Sequence, residues 1–147
     1  MRFQYAFTVE APIERISALH QDPLTLEHLM PPPLRLEWEH REPIAEGSLA
    51  RFVIRLGPFR VRWTARHQAV SPFGFTDEQV EGPFQRWVHR HSFQACGPRC
   101  TRIVEEIEAR WPRHPIRWIL ATGMWLGLPF LFAYRARRIR EIAENRS

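Results

Sequence analysis

Between Leu34 and Trp111 the chain is a succession of segments whose apolar residues recur at every second position, separated by very short turns. A period of two is the repeat of a strand with one buried face, and turns this short join strands only as antiparallel neighbours. Leu34, Leu36 and Trp38 alternate with Arg35, Glu37 and Glu39, and Ala50, Phe52, Ile54 and Leu56 with Arg51, Val53 and Arg55. The cleanest run sets Phe59, Val61, Trp63, Ala65 and His67 against Arg60, Arg62, Thr64, Arg66 and Gln68. Turns fall at Leu56-Gly57-Pro58-Phe59, at Ser71-Pro72-Phe73-Gly74 and at Gly82-Pro83. A last strand over about 99–111 carries Ile103, Glu105, Ile107 and Ala109 on one side, and Arg2 to Val9 alternates in the same way at the start. About seven strands are predicted.

Helical signals flank this core. Ala11-Pro12 opens a short helix reaching about Leu19, and Asp22-Pro23 a second one ending near Met30, where Pro31, Pro32 and Pro33 stop it. After Pro112 and Pro115 the pattern predicts one long helix to about Ala143, kinked at Pro129, with Phe132, Ala136, Ile139 and Ala143 on one stripe. The order is strand, two short helices, about six strands and a C-terminal helix, which reads as one α+β domain over 1–147.

All 21 basic residues are Arg and the formal net charge is +5. The arginines occupy alternate strand positions, as on a solvated sheet face, and no nucleic-acid-binding signature is present, so no nucleic-acid partner is expected. Cys96 and Cys100 lie in a C-G-P-R-C turn and are expected as free thiols. Met1 to Glu10 alternates instead of forming an apolar leader, which makes a cytoplasmic location the default expectation.

The stretch from Phe75 to Phe93, F-x-D-x-Q-x-x-G-P-F-x-x-W-x-H-x-H-x-F, carries the candidate chemistry. Trp87, His89, His91 and Phe93 point one way, and Arg86, Val88, Arg90 and Ser92 point toward solvent. Imidazoles on the aromatic face of a strand need partners or a cavity. Glu105, between Ile103 and Ile107, is expected to point inward. Asp77 lies opposite His89 if the Gly82-Pro83 loop has an odd length, and joins the Arg86/Val88 face if it is even. His89, His91, Glu105 and Asp77 are thus the candidates for acid–base chemistry, and a satisfied polar network or ligand anchor is the commoner outcome for such residues. Neither a metal nor a cofactor is expected.

Trp118 to Tyr134 holds 17 residues without a charge, followed by Arg135, Arg137, Arg138 and Arg140. The run is short for a spanning helix and interrupted by Gly123, Gly127 and Pro129, yet too apolar all round for a helix with one wet face. It needs cover on two sides. A homodimer through Trp118, Met124, Trp125 and Leu128 is the first expectation, and peripheral membrane contact through 118–140 the second.

The element order, the hairpin motif, Gly47, Trp63 and the Phe132-Ala133-Tyr134-Arg135 run resemble the SRPBCC superfamily of helix-grip proteins, which includes START lipid-transfer domains, pollen-allergen-like proteins and bacterial polyketide cyclase/dehydrase-like proteins. The resemblance covers nearly the whole chain. It implies a curved antiparallel sheet around a long C-terminal helix, with a hydrophobic or amphipathic small molecule held between them. The wall would then be Phe52, Trp63, His67, Trp87, His89, His91 and Phe93, with Phe130 and Tyr134 contributed by the helix. Two rival classes stand beside binding: a cyclase/dehydratase-type enzyme using His89 with Glu105 or Asp77, and an interaction module docking its apolar helix on a membrane or partner protein.

Overall fold

The computed structural model describes residues 1–144. Its elements are β1 (Arg2–Val9), α1 (Ile13–Gln21), α2 (Thr25–His28), β2 (Arg35–Arg41), β3 (Leu49–Leu56), β4 (Phe59–Ser71), β5 (Gly74–Glu81), β6 (Arg86–Gly97), β7 (Cys100–Arg110), α3 (Pro115–Leu126) and α4 (Leu128–Glu144). All seven strands form one antiparallel sheet in the order β1-β7-β6-β5-β4-β3-β2, so the chain's first strand returns to flank its last. Six of the strands are sequential neighbours because their turns are too short to reach anywhere else.

Side-chain alternation decides which face is covered. Phe7 and Val9 of β1, Phe52 of β3, Trp63 and Ala65 of β4, and Ile103 and Ile107 of β7 are buried on the concave face under α4. α4 contributes the stripe Leu128, Phe132, Ala136, Ile139 and Ala143. Val88, expected to face solvent, is buried on the convex side together with Val53, Thr64 and Val104. Arg and Glu side chains flank these small residues on that side, and their aliphatic stems are suited to covering apolar surface while their charged ends stay wet.

Register shifts bend the sheet. β4 is 13 residues long and slips against β5 between Thr64 and Ala65 and again between Gln68 and Ser71. At the second slip Ala69 takes φ 51°, and the Glu46 carboxylate accepts hydrogen bonds from the N–H groups of Ala69 and Val70. Bulges of this kind increase local bending and twist.

Gly74 starts β5 with φ 143°, and a Cβ there would collide with the carbonyl oxygen of His91 on β6. Its missing side chain lets β5 lie against the strand that carries the histidines. Gly74→Ala is expected to cost about 3 kcal/mol or more, measured as a shift in the urea midpoint.

Two expectations are corrected. The C-terminal helix is two helices, α3 and α4, inclined by 46°. The break falls at Gly127 and not at Pro129, because Pro129 sits in the first turn of α4, where a missing N–H is tolerated. Cys96 and Cys100 are joined in a disulfide and are not free thiols. The β6–β7 hairpin brings their Cα atoms to 5.0 Å, within the range a disulfide bridges.

Candidate functional site

The buried apolar residues fall into two clusters with a polar belt between them. One cluster gathers Phe7, Val9, Ile16, Phe75, Phe93, Ile103 and Ile139; the other gathers Phe52, Trp63, Phe84, Trp87, Ile107 and Phe132. Along β4 the inward row runs Trp63, Ala65, His67; along β5, Phe75, Asp77; along β6, Trp87, His89, His91, Phe93; along β7, Ile103, Glu105, Ile107. On four neighbouring strands, therefore, the position where the clusters meet is ionisable. Register produces this alignment, with Asp77 opposite both His67 and His89, and His91 opposite Glu105.

Hydrogen bonds and ion-pair approaches alternate along the belt. The Ser48 hydroxyl accepts from the Ala45 N–H and lies 3.0 Å from His67 Nδ1, so its proton is free for that nitrogen. His67 Nε2 then faces Asp77 Oδ1 at 3.2 Å. His91 Nε2–H donates to Asp77 Oδ2 at 2.8 Å, and His91 Nδ1 lies 3.0 Å from Glu105 Oε2. That second contact is an ion-pair approach and not a hydrogen bond, since the nitrogen has no aligned acceptor. His89 Nε2–H donates to the same Glu105 oxygen at 2.6 Å. Three further groups complete the site: His20 of α1, whose Nδ1–H donates to Ile16 C=O and whose Nε2 is buried without a partner; Arg135 of α4, whose guanidinium lies 5.3 Å from the Phe132 ring centre; and Phe132 itself, edge-on to His89 at 5.5 Å.

The electrostatics follow from burial and pairing. Burial alone would depress His91, but the carboxylates of Glu105 and Asp77 outweigh it and push the imidazole up to about 10. Burial would raise Glu105, yet His91 and His89 hold it well below the usual carboxylate range, and His91 does the same, less strongly, for Asp77. His89 is lowered by burial and by the charge on His91. His20 is lowered to about 4, chiefly by burial. Arg135 is lowered by burial, with Glu105 and Asp77 opposing. At neutral pH the two carboxylates are thus balanced by imidazolium His91 and guanidinium Arg135, while His89 and His20 are neutral.

Asp77, His89 and His91 each offer a ligating atom within 4.8 Å of the others, a donor set a transition metal could use. In this arrangement His89 and His91 each spend Nε2 on a carboxylate. A metal held through Nε2 of either ring would have to displace its proton.

The sequence-predicted residues are distributed as follows. Phe52, Trp63, His67, Trp87, His89 and Phe93 are buried on the concave face, with Trp63 and Trp87 in edge-to-face contact at 5.3 Å. Glu105 is 4 % exposed and inward, and Asp77 lies opposite His89. Phe130 does not reach the interior: it is 80 % exposed, because the turn at Gly127 rotates Leu128 and Phe132 onto the sheet instead. Tyr134 is only partly buried, lies outside both clusters and carries the Arg137 guanidinium over its ring. Ser48, His20, Phe84 and Arg135 join the site without having been expected there. Arg135 neighbours the Phe132/Ala136/Ile139 stripe in sequence, which was the available signal; His20 has none, since α1 meets β6 only in the tertiary fold.

The interior is not an open chamber. Side chains of the two clusters fill the space between sheet and α4, and the belt meets solvent at Asp77, 23 % exposed, and His91, 10 % exposed. Surface depressions of about 380 and 310 Å³ lie elsewhere, beside Phe84, Pro112 and Arg117 and beside Arg2, Phe3 and Glu106.

A curved seven-stranded antiparallel sheet closed by a C-terminal helix defines a helix-grip α+β domain. A sequence model of the family described as polyketide cyclase / dehydrase and lipid transport matches residues 9–122, and the chain belongs to that family. α4, with Phe132 and Arg135, lies beyond the matched stretch. Solved structures share the fold. A protein from Thermus thermophilus is similar at 22% identity and a TM-score of 0.69, covering 99% of this chain and 100% of its own. The Zhui aromatase/cyclase from Streptomyces sp. R1128 is similar at 15% identity and TM-score 0.70, covering 97% and 95%. Norcoclaurine synthase from Thalictrum flavum, in complex with dopamine and hydroxybenzaldehyde, is similar at 16% identity and TM-score 0.71, covering 100% and 88%. No curated protein matches the chain in sequence.

Proposed function

We propose that the protein binds an amphipathic small molecule on the concave face, its polar end at the Asp77–His91 edge of the belt and its apolar body against Trp63, Trp87 and Phe132. The observation that carries this reading is the belt itself. Burying His20, His89 and Glu105, with Asp77, His91 and Arg135 partly buried beside them, is costly in an apolar interior, and such groups cluster where a site needs them. The family description and the Thalictrum structure, which holds two small aromatic molecules, support the same reading. Entry needs α3 or α4 to swing outward, since the aromatic cluster fills the space the ligand would take.

A second reading, acid–base catalysis of the cyclase/dehydratase kind, is favoured by the His89–Glu105 pair. With Nε2–H held on the carboxylate, the neutral imidazole keeps a lone pair on Nδ1, the arrangement of an oriented general base. His91, held protonated by two carboxylates, is suited to anchoring and not to proton abstraction.

Native mass spectrometry of the protein incubated with the small-molecule fraction of a cell extract separates these readings. A compound retained by the protein and returned unchanged is the expected result, and retention by His89→Gln as well marks a carrier. A product that appears only with wild-type His89 marks an enzyme. Retention of no compound by either form would remove both.

A further inference from the structure

We infer that the outer face of α3 and the first turn of α4 form a docking surface for an anionic lipid headgroup layer, independently of what the concave face binds. α3 buries only Ala121. Ile116, Trp118, Ile119, Leu120, Leu126 and Phe130 are exposed, from 38 % at Leu120 to 80 % at Phe130. Ile116, Ile119, Leu120, Leu126 and Phe130 follow helical spacing with the exposed Gly123 between them, making one continuous apolar stripe. A patch of this kind on a water-exposed helix marks a contact.

Charge selects the occupant. From Ala109 to Arg140 there is no Asp or Glu, while Arg110, Arg113 and Arg117 are exposed in the same stretch; Arg137, also exposed, pairs with Glu141, and Arg140 donates to the Thr8 carbonyl. Arg113 precedes α3 and Arg117 lies in its first turn, and Phe130, Tyr134 and Arg137 follow along α4 at i, i+4 and i+7. A two-fold dimer through this face would bring the arginine-bearing segments of two copies together, and the nearest acidic residue that follows, Glu141, is already paired with Arg137. Lipid phosphates supply the missing negative charge, and the apolar stripe supplies what enters the acyl boundary. The contact is interfacial and not spanning. No single described helix is long and apolar enough to cross a membrane, and the 12 residues of α3 extend about 18 Å against a hydrocarbon core of about 30 Å. α3 and α4 reach the length only as a pair bent by 46°, and α4 is committed to the sheet through Leu128, Phe132, Ala136 and Ile139.

The test is co-sedimentation of the whole protein with vesicles of phosphatidylcholine mixed with phosphatidylglycerol, against pure phosphatidylcholine, at low and raised salt. Binding to the mixed vesicles, weakened by salt, is expected. Ile119→Glu should lower the partition coefficient about tenfold or more, and Arg113→Gln and Arg117→Gln about fivefold each. All three positions are exposed, so folding should be preserved, which circular dichroism checks. Absence of binding, or equal binding to both vesicle types, would overturn the proposal. A dimer seen by light scattering and broken by Ile119→Glu, with vesicles ignored, would overturn it too and assign the face to a second copy.

Discussion

His91→Ala is expected to lower the stability of the fold by about 3–5 kcal/mol, read from urea denaturation at neutral pH. The effect is not mainly lost packing. His91 is the imidazolium between the partly buried carboxylate of Asp77, 2.8 Å away, and the buried one of Glu105, 3.0 Å away. Without it, both remain charged in a low-dielectric setting, with Arg135 left to balance the pair, and an uncompensated buried charge is what makes breaking an internal ion pair expensive. The same argument predicts recovery. The quadruple variant Asp77→Asn, His91→Gln, Glu105→Gln, Arg135→Gln removes both carboxylates together with both of the cations that balance them and should regain most of the loss, because deleting a whole buried ion set is far milder than deleting one partner. A loss below about 1 kcal/mol in His91→Ala would show that the carboxylates find solvent or take up protons at little expense.

Stability should peak near pH 6–7 and fall on both sides. His91 titrates at about 10 in the fold against 6.5 in the unfolded chain, so its contribution is complete below 6.5 and is lost as pH rises toward 10. Over that window the loss is on the order of 4 kcal/mol, in keeping with the expected effect of removing the side chain. On the acid side, His20 is held neutral down to about 4, so the unfolded chain takes up that proton first as pH drops below 6.5. The depressed carboxylates of Glu105 and Asp77 contribute above their unfolded range and lose that contribution as pH falls further. Urea midpoints across pH 5 to 10 check the shape. His91→Gln should flatten the alkaline limb and also weaken the carboxylate part of the acid limb, since His91 is what chiefly depresses Glu105 and Asp77; an alkaline limb unchanged in that variant would assign it to other groups.

The Gly74→Ala expectation joins these two, since Gly74 fixes how closely β5 approaches the His91 backbone. Fold and site are coupled at that contact. A glycine at the start of one strand sets the position of the histidine that balances the carboxylates on the next.

Much of this was legible from periodicity. Seven strands, the two short helices and the stripe of α4 follow from alternation, proline stops and helical spacing, because each signal is local and each element buries one face. The inward direction of Glu105 was readable in the same way, from Ile103 and Ile107 on either side of it. The break of the last helix was misplaced by two residues because Pro129 has two permitted meanings, a kink or a first turn, and only packing against the sheet selects between them.

The residues alone determined that an antiparallel sheet would present two imidazoles and a carboxylate to an apolar interior, since strand alternation is steric and needs no partner. Which groups pair was decided by tertiary structure. The bulges of β4 and the register of β5 put Asp77 between His67 and His91; the fold of α1 added His20; the turn at Gly127 aimed Phe132 inward and left Phe130 in water. Those are long-range contacts, and no spacing along one segment encodes how far a neighbouring strand has slipped.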